Sequence, residues 1–475
     1  MTGGSPIDDT ITTQGETMYR YLHGTFIHFP LLLVAILPLS SAMAQVNNSR
    51  HKEGTEMSKD VILAELKQQL KDELEHFGEN TIDSVHGGYF TDMNYKWQLE
   101  GRQDKMIVTQ ARLVWSNSNA SIYFKQKEPY YKYARHGYEF LRDVMWDRKY
   151  GGFYDMVDRE GKPVGRDGNY IKTAYGNAFG IYGLAGYYKA FGDKSALDLA
   201  VEAFKWLDDH SYDPEYGGYF QNMTREGVPF KDGMGEIPPK DQNSLIHIME
   251  AFTELYQVWP DPGLHARLDS VFHDVRDIAI GDHPYLTLFF KRDWTPISYR
   301  DSSDYLRKTH FEYDHISFGH NVETAYLLFE TSKTLGLKDE KKTLEIGKWM
   351  DDYALENGWD KELGGIYDGG YIFQGEDKVT IVIPTKEWWS QIEAMNSFLI
   401  MSEYFPHDSM DYYAKFCEQW NYTKKYVLDR KHGGWYWGGI DKAPQNVRGP
   451  KATIWKVNYH TTRGLINCII RLESH

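Results

Sequence analysis

One short block recurs along the chain and limits what it can fold into: His86-Gly-Gly-Tyr-Phe90, Tyr150-Gly-Gly-Phe-Tyr154, Tyr216-Gly-Gly-Tyr-Phe220, Leu363-Gly-Gly-Ile-Tyr367 and His432-Gly-Gly-Trp-Tyr436. The first glycines stand at 87, 151, 217, 364 and 433, giving intervals of 64, 66, 147 and 69 residues, so the long interval is close to two periods. Tyr285-Leu-Thr-Leu-Phe-Phe290 fits there as a copy without its glycines, which makes six repeats. After each block an aromatic pair and a turn such as Asp158-Arg-Glu-Gly161 or Thr224-Arg-Glu-Gly227 predict a short β-hairpin. Between blocks the pattern is helical and double. Lys172 to Phe191 is rich in small and aromatic residues on most faces, as a helix buried on both sides would be. After Gly192-Asp193 a second stretch carries Leu197, Ala200, Val201, Phe204 and Leu207 on one face. With Val61 to Phe77 as the first outer helix, twelve helices in six pairs close into an all-α (α/α)6 barrel with short β-hairpins between pairs. An open helical solenoid is the alternative, and six copies without distinct caps favour closure.

Charge and composition remove several function classes. A net charge of −15 over 475 residues argues against a phosphate-tracking surface, so no nucleic-acid partner is expected. The 14 Trp, 35 Tyr and 23 Phe suit a core and also suit stacking on sugar rings. Near the N-terminus, Met18-Tyr-Arg-Tyr-Leu-His, the apolar run Pro30 to Leu39 and Ser41-Ala42-Met43-Ala44 before Gln45 read as a secretory signal with a start at Met18. The expected organisation is therefore an extension and signal over 1–44 and a single catalytic barrel over 45–475. The mature chain would be exported, periplasmic or secreted, a monomer or weak dimer without a stable membrane span; an uncleaved anchor is the alternative. Cys417 and Cys468 lie in apolar helical patterns, without a CxxC motif, and read as buried thiols.

The repeat allows a test that a lone motif does not. About 25 residues after each first glycine, at the start of the next inner helix, stand Arg112, Tyr175, Asn243, Trp389 and His460; His320 is the counterpart in the glycine-less repeat, which carries an insertion around Asp301 to Tyr305. In a ring, equal phase means equal height, so these six side chains should meet at one mouth of the barrel. Helical spacing adds His247, Glu323, Glu393 and Arg463 to the same faces. Three histidines at one cavity suit proton transfer near neutrality, and Arg112 offers a fixed cation for an enediolate, which favours isomerisation over hydrolysis. Three other readings stay open. His315, His320 and Glu323 could hold a metal, although no HExxH is present and no cofactor is expected. Glu323 with Glu393, or Asp155 or Asp368, could serve a glycoside hydrolase or lyase. The barrel could also bind sugar without turning it over.

Ser317-Phe-Gly-His-Asn-Val-Glu323, Glu387-Trp-Trp-Ser-Gln-Ile-Glu393, Gln110-Ala-Arg112 and Trp455-Lys-Val-Asn-Tyr-His-Thr-Thr-Arg463 together resemble the N-acylglucosamine 2-epimerase superfamily, most closely its cellobiose 2-epimerase branch, over nearly all of residues 57 to 475. The resemblance implies an (α/α)6 barrel that epimerises C2 of the reducing-end sugar of a β-1,4-linked disaccharide without metal or nucleotide. It implies His320 and His460 as the two acid/base groups, Glu323 as the group that tunes His320, and Arg112 as the stabiliser of a cis-enediolate. Tyr175, Asn243 and His247 would bond the opened sugar, Trp388, Trp389 and Trp455 would be platforms, and Glu393 would hold a hydroxyl or support the tryptophans. An aldose to ketose isomerase would use the same enediolate. The chain departs from the branch at Ser390 (usually Pro), at Asn321 (usually Asp) and around Asn458 to Thr461 (usually Pro-Tyr-His-Asn), departures expected beside the pocket that bear on sugar identity.

Overall fold

Two concentric layers of helices follow from the two helical patterns. The structure, a computed structural model, describes residues 58–475 other than 166–169, 339 and 475. The expected signal over residues 1–44 lies outside the described residues. The outer layer consists of α1 (Lys59–Asn80), α3 (Tyr130–Phe140), α5 (Lys194–Ser211), α7 (Pro262–His273), α9 (Glu340–Asn357) and α11 (Tyr412–Tyr422). The inner layer consists of α2 (Ile107–Phe124), α4 (Ala174–Phe191), α6 (Gln242–Val258), α8 (Phe318–Leu335), α10 (Trp388–Tyr404) and α12 (Tyr459–Ser474). Each inner helix packs on the next and α12 returns to α2, so the ring is closed rather than an open solenoid. Closure also pairs the two ends of the described chain, because α1 is the outer partner of α12.

The amphipathic pattern sorts the layers. In α5, Asp193 caps the first turn by accepting from Ser195 N, and Ala196, Leu199, Ala200, Ala203, Phe204, Trp206 and Leu207 are buried. This stripe is turned slightly from the expected one: Ala196 and Ala203 are buried, and Leu197 and Val201 lie half-buried at its edge. The inner helices are buried almost all round. A side chain at Gly183 of α4 would come within 2.7 Å of the Ala111 carbonyl of α2, so the small residues of α4 set how closely the ring is drawn.

Each block joins an outer helix to the next inner one. The glycine pairs have positive φ in all five plain copies, such as 78° and 65° at Gly87 and Gly88, a conformation other L-residues adopt at a cost. The hairpins close through single pairs such as Val157 with Pro163 and Met223 with Pro229. The longer ladders run sideways between neighbouring repeats, Lys105–Met106 on Met156–Val157 and Ile171–Thr173 on Asn222–Thr224. Under each plain block is a buried ion pair that repeat inspection missed: Asp83 with Lys105 (3.0 Å), Asp147 with Lys172 (3.2 Å), Asp213 with Lys240 (3.2 Å), Asp360 with Lys386 (2.8 Å) and Asp429 with Lys451 (2.7 Å). Four of these aspartates also accept a cation from the following repeat: Arg159, Arg225, Arg292 and Lys442. The signal was present as Asp four residues before each Gly-Gly. In the glycine-less repeat the ladder register puts Ile280 and Ile316 at the Asp and Lys positions, so glycines and ion pair are lost together.

Candidate active site

All six inner helices start at the same mouth. Tyr175, Asn243, His320, Trp389 and His460 lie within the first three residues of their helices, and Arg112 lies one turn deeper in α2. Contacts link them around the ring. Arg112 Nη2 donates to the Tyr175 hydroxyl at 3.0 Å, and the Tyr175 ring meets His247 edge-on at 5.3 Å. Trp389 lies 4.8 Å from the His320 ring and 5.6 Å from the His460 ring. The Arg112 guanidinium completes the circle, 4.7 Å over Tyr459 and 4.3 Å over Phe179, while Nη1 reaches the Trp455 carbonyl at 3.4 Å. Inner-helix N-termini gathered at one mouth favour negative charge there.

The two histidines on either side of Trp389 have different supports. His460 Nδ1 lies 2.6 Å from Glu393 Oε1, which can only accept, so Nδ1 carries the proton and Nε2 keeps its lone pair. Burial holds the His460 pKa well below the usual imidazole range, against the pull of Glu323. His320 is half-buried, and its Nδ1 faces the Ser317 hydroxyl at 2.7 Å.

Arg463 is the hub under this mouth. Its Nη2 bonds Glu323 Oε1 at 2.5 Å and Glu393 Oε1 at 2.7 Å, and its Nη1 bonds Glu250 and Tyr459. Glu250 also accepts from Tyr459 and holds His247 Nδ1 at 2.9 Å; burial would raise its pKa, but Arg463 and His247 more than offset this and hold it low. Burial raises the Glu393 pKa, with Arg463 and the Tyr326 hydroxyl at 2.7 Å opposing. Glu323 reaches His460 Nδ1 only at 3.7 Å and spends its short bond on Arg463. Glu250, Tyr326 and Tyr459 were not singled out from sequence, although each is a helical turn or less from a residue that was.

The remaining site residues separate. Trp455 is half-buried in the loop before α12, and Asn243 bonds Tyr175. Trp388 does not join the mouth: it is buried, edge-on to Trp437 at 4.8 Å and beneath the Lys456 ammonium. Asn321 turns away from the pocket, donating to Pro284 O at 3.1 Å and accepting from Leu286 N at 3.4 Å, so it braces the glycine-less block. An aspartate could not make the donating half of that pair. Cys468 is buried and Cys417 only half-buried.

The arrangement narrows the chemistry. Among the described residues, Glu323, Glu393 and His460 bring one ligand-type atom each within 4.8 Å of one another, but the positive charge among them is the Arg463 guanidinium. Glu323 and Glu393 are fully buried and share one guanidinium nitrogen, which leaves no room between them for a glycosidic bond.

A family model for N-acylglucosamine 2-epimerase matches residues 88–463. A cellobiose 2-epimerase of Bacteroides fragilis is 28% identical over 416 residues, covering 85% of this chain and 98% of that protein. One from Ruminococcus albus is 28% identical over 427 residues, covering 86% and 99%. The solved structure of cellobiose 2-epimerase from Bacillus thermoamylovorans superposes with a TM-score of 0.75 at 26% identity, over 87% of this chain and all of that one. With its barrel, its ringed mouth and a match spanning five of the six blocks, the chain belongs to the N-acylglucosamine 2-epimerase family and is a carbohydrate epimerase.

Proposed function

We propose that this carbohydrate 2-epimerase interconverts glucose- and mannose-type residues at the reducing end of a β-1,4-linked disaccharide or short oligosaccharide. Once the sugar ring is open, His460 and His320 remove and return the C2 proton on opposite faces of a cis-enediolate. Arg112 stabilises its developing oxyanion. Tyr175, Asn243 and His247 bond the opened sugar, Trp389 lies beneath the reacting carbons, and Trp455 receives the second sugar. Glu393 takes the part the resemblance gave to Glu323: bonded to His460 Nδ1, it fixes the tautomer whose Nε2 is a base. The observation that carries this reading is the pair of imidazoles at 4.8 and 5.6 Å on the Trp389 indole, one of them kept neutral by burial.

Proton NMR of residues 45–475 in deuterated water, with cellobiose, mannobiose and a panel of monosaccharides, tests it. Deuterium at C2 of an intact disaccharide with accumulation of its epimer is the expected result. A ketose product would redirect the reading to an aldose–ketose isomerase, and a new reducing end would overturn it. The Met18 to Ala44 pattern supports export of the same chain. Cell fractionation and N-terminal sequencing should find it outside the inner membrane and beginning at Gln45, as a monomer or weak dimer on a sizing column.

A further inference from the structure

Glu387 stands at the N-cap of α10, where an acidic side chain ordinarily turns back onto its own helix, yet it makes no such bond. Its carboxylate reaches outward instead. Oε2 accepts from the Trp389 indole at 2.8 Å and Oε1 from the Trp437 indole at 3.0 Å. The main chain here is held as well: Glu387 N–H donates to both oxygens of Asp368 at 2.9 and 3.2 Å, and Trp388 N–H donates to Trp437 O at 3.1 Å. Ser390 adds its hydroxyl to Asp368 at 3.3 Å, a bond that a proline could not make. Burial and the neighbouring Glu387 push the Asp368 pKa up, so the two half-buried carboxyls resist carrying two charges together. Trp389 is the ring that touches both histidines, and Glu387 grips its edge.

We propose that Glu387 is a positioning residue for the epimerisation: anchored on Asp368, it clamps the Trp389 and Trp437 indoles and thereby fixes the Trp389 ring relative to both His320 and His460. This rests on the reading of those histidines as the two acid/base groups. Bonds from an N–H to a carboxylate are about twice as strong as neutral ones, and here two of them spread from one side chain. A reacting sugar carbon that shifts by about 1 Å relative to its base can cost about 100-fold in rate. A loosened ring should disturb the two histidines unequally, because a bond to Glu393 ties down one and a bond to Ser317 the other.

The test is E387Q, W389F and the double variant, assayed on the disaccharide for kcat, KM and the ratio of C2 deuterium exchange to inversion, with His460→Ala alongside. Glutamine offers a single acceptor oxygen, and phenylalanine keeps a ring without the N–H. Expected are a fall in kcat of about 10-fold in each single variant with KM within about twofold, a changed exchange-to-inversion ratio, and no further loss in the double variant. A purely structural role would lower kcat through the folded fraction alone and leave KM and the ratio untouched, which would overturn the proposal. Multiplied losses in the double variant, or wild-type kinetics in E387Q, would also overturn it. If E387Q does not fold, W389F decides alone: an unchanged ratio there sinks the clamp and a changed one supports it. Activity retained in His460→Ala would sink the underlying histidine reading instead, whatever Glu387 does.

Discussion

The entrances of α8 and α12 occupy equivalent places in the ring and hold a histidine each, yet they are built differently. At α12 the imidazole is buried, kept neutral and wired through Glu393 to Arg463. At α8 the imidazole is half-buried beside a serine hydroxyl, and it follows the one block that lost its glycines and its Asp–Lys pair. A two-base epimerisation needs one base ready to accept a proton and a partner able to supply one. The contrast teaches how a six-fold scaffold produces two unlike sites: equal phase sets their height, and unequal surroundings give one Nδ1 a buried carboxylate and the other a serine hydroxyl.

The strongest way to break this comparison is to delete either imidazole. His460→Ala and His320→Ala should each lower epimerisation by about 1,000-fold or more, measured by NMR on protein whose melting temperature stays near wild type. Arg463→Met comes next. It leaves three buried carboxylates without their cation, and a loss of about 3–5 kcal/mol in denaturant unfolding is expected, far more than for Arg112→Met, because Arg112 is equally buried but bonds a hydroxyl and a carbonyl rather than carboxylates. Glu393→Gln should fold but lower kcat by about 100-fold, because an amide can present N–H to Nδ1 and push the proton onto Nε2; Ser317→Ala, beside the other histidine, should cost less than about 10-fold.

A smaller effect sharpens the comparison between blocks. Lys240→Met strands the buried Asp213 carboxylate with Arg292 as its remaining side-chain cation, a loss of about 2 kcal/mol in chemical denaturation. Adding Asp213→Asn, which imitates the uncharged fourth block, should recover part of it. The smallest expected effect is in pH. Because burial depresses the folded pKa of His460 below its unfolded value of about 6.5, the folded state binds fewer protons there. Its contribution to stability is full above about pH 6.5 and is lost as pH falls toward the folded pKa. In His460→Gln, the fall in unfolding free energy between about pH 6.5 and 5 should therefore be shallower than in wild type.

The closed ring and the height of most of the site were legible because each repeat states them again: six blocks, six inner helices, and side chains at one phase, of which five enter in the first three residues of their helices and Arg112 a turn deeper. What was not legible depends on which helices face each other across the ring. Glu323 is three residues from His320, and that proximity favoured assigning it to His320; in the folded chain Arg463, 140 residues away, takes its short bond. His460 takes Glu393, 67 residues back, for the same reason. Adjacent positions also diverge: Trp388 and Trp389 differ by about 100° around the helix, so one enters the core and the other the mouth. The Asp–Lys pairs were readable in principle, since Asp83, Asp147, Asp213, Asp360 and Asp429 keep one distance from their glycines.

The most direct measurement is C2 deuterium wash-in from heavy water by His320→Ala and His460→Ala, starting separately from each epimer of the disaccharide. If two unlike bases serve opposite faces, neither variant epimerises, and each exchanges the C2 proton of one epimer only, with the two variants choosing opposite epimers. Exchange from both epimers by a single variant, or epimer formed by either, would contradict the assignment of one base to each face.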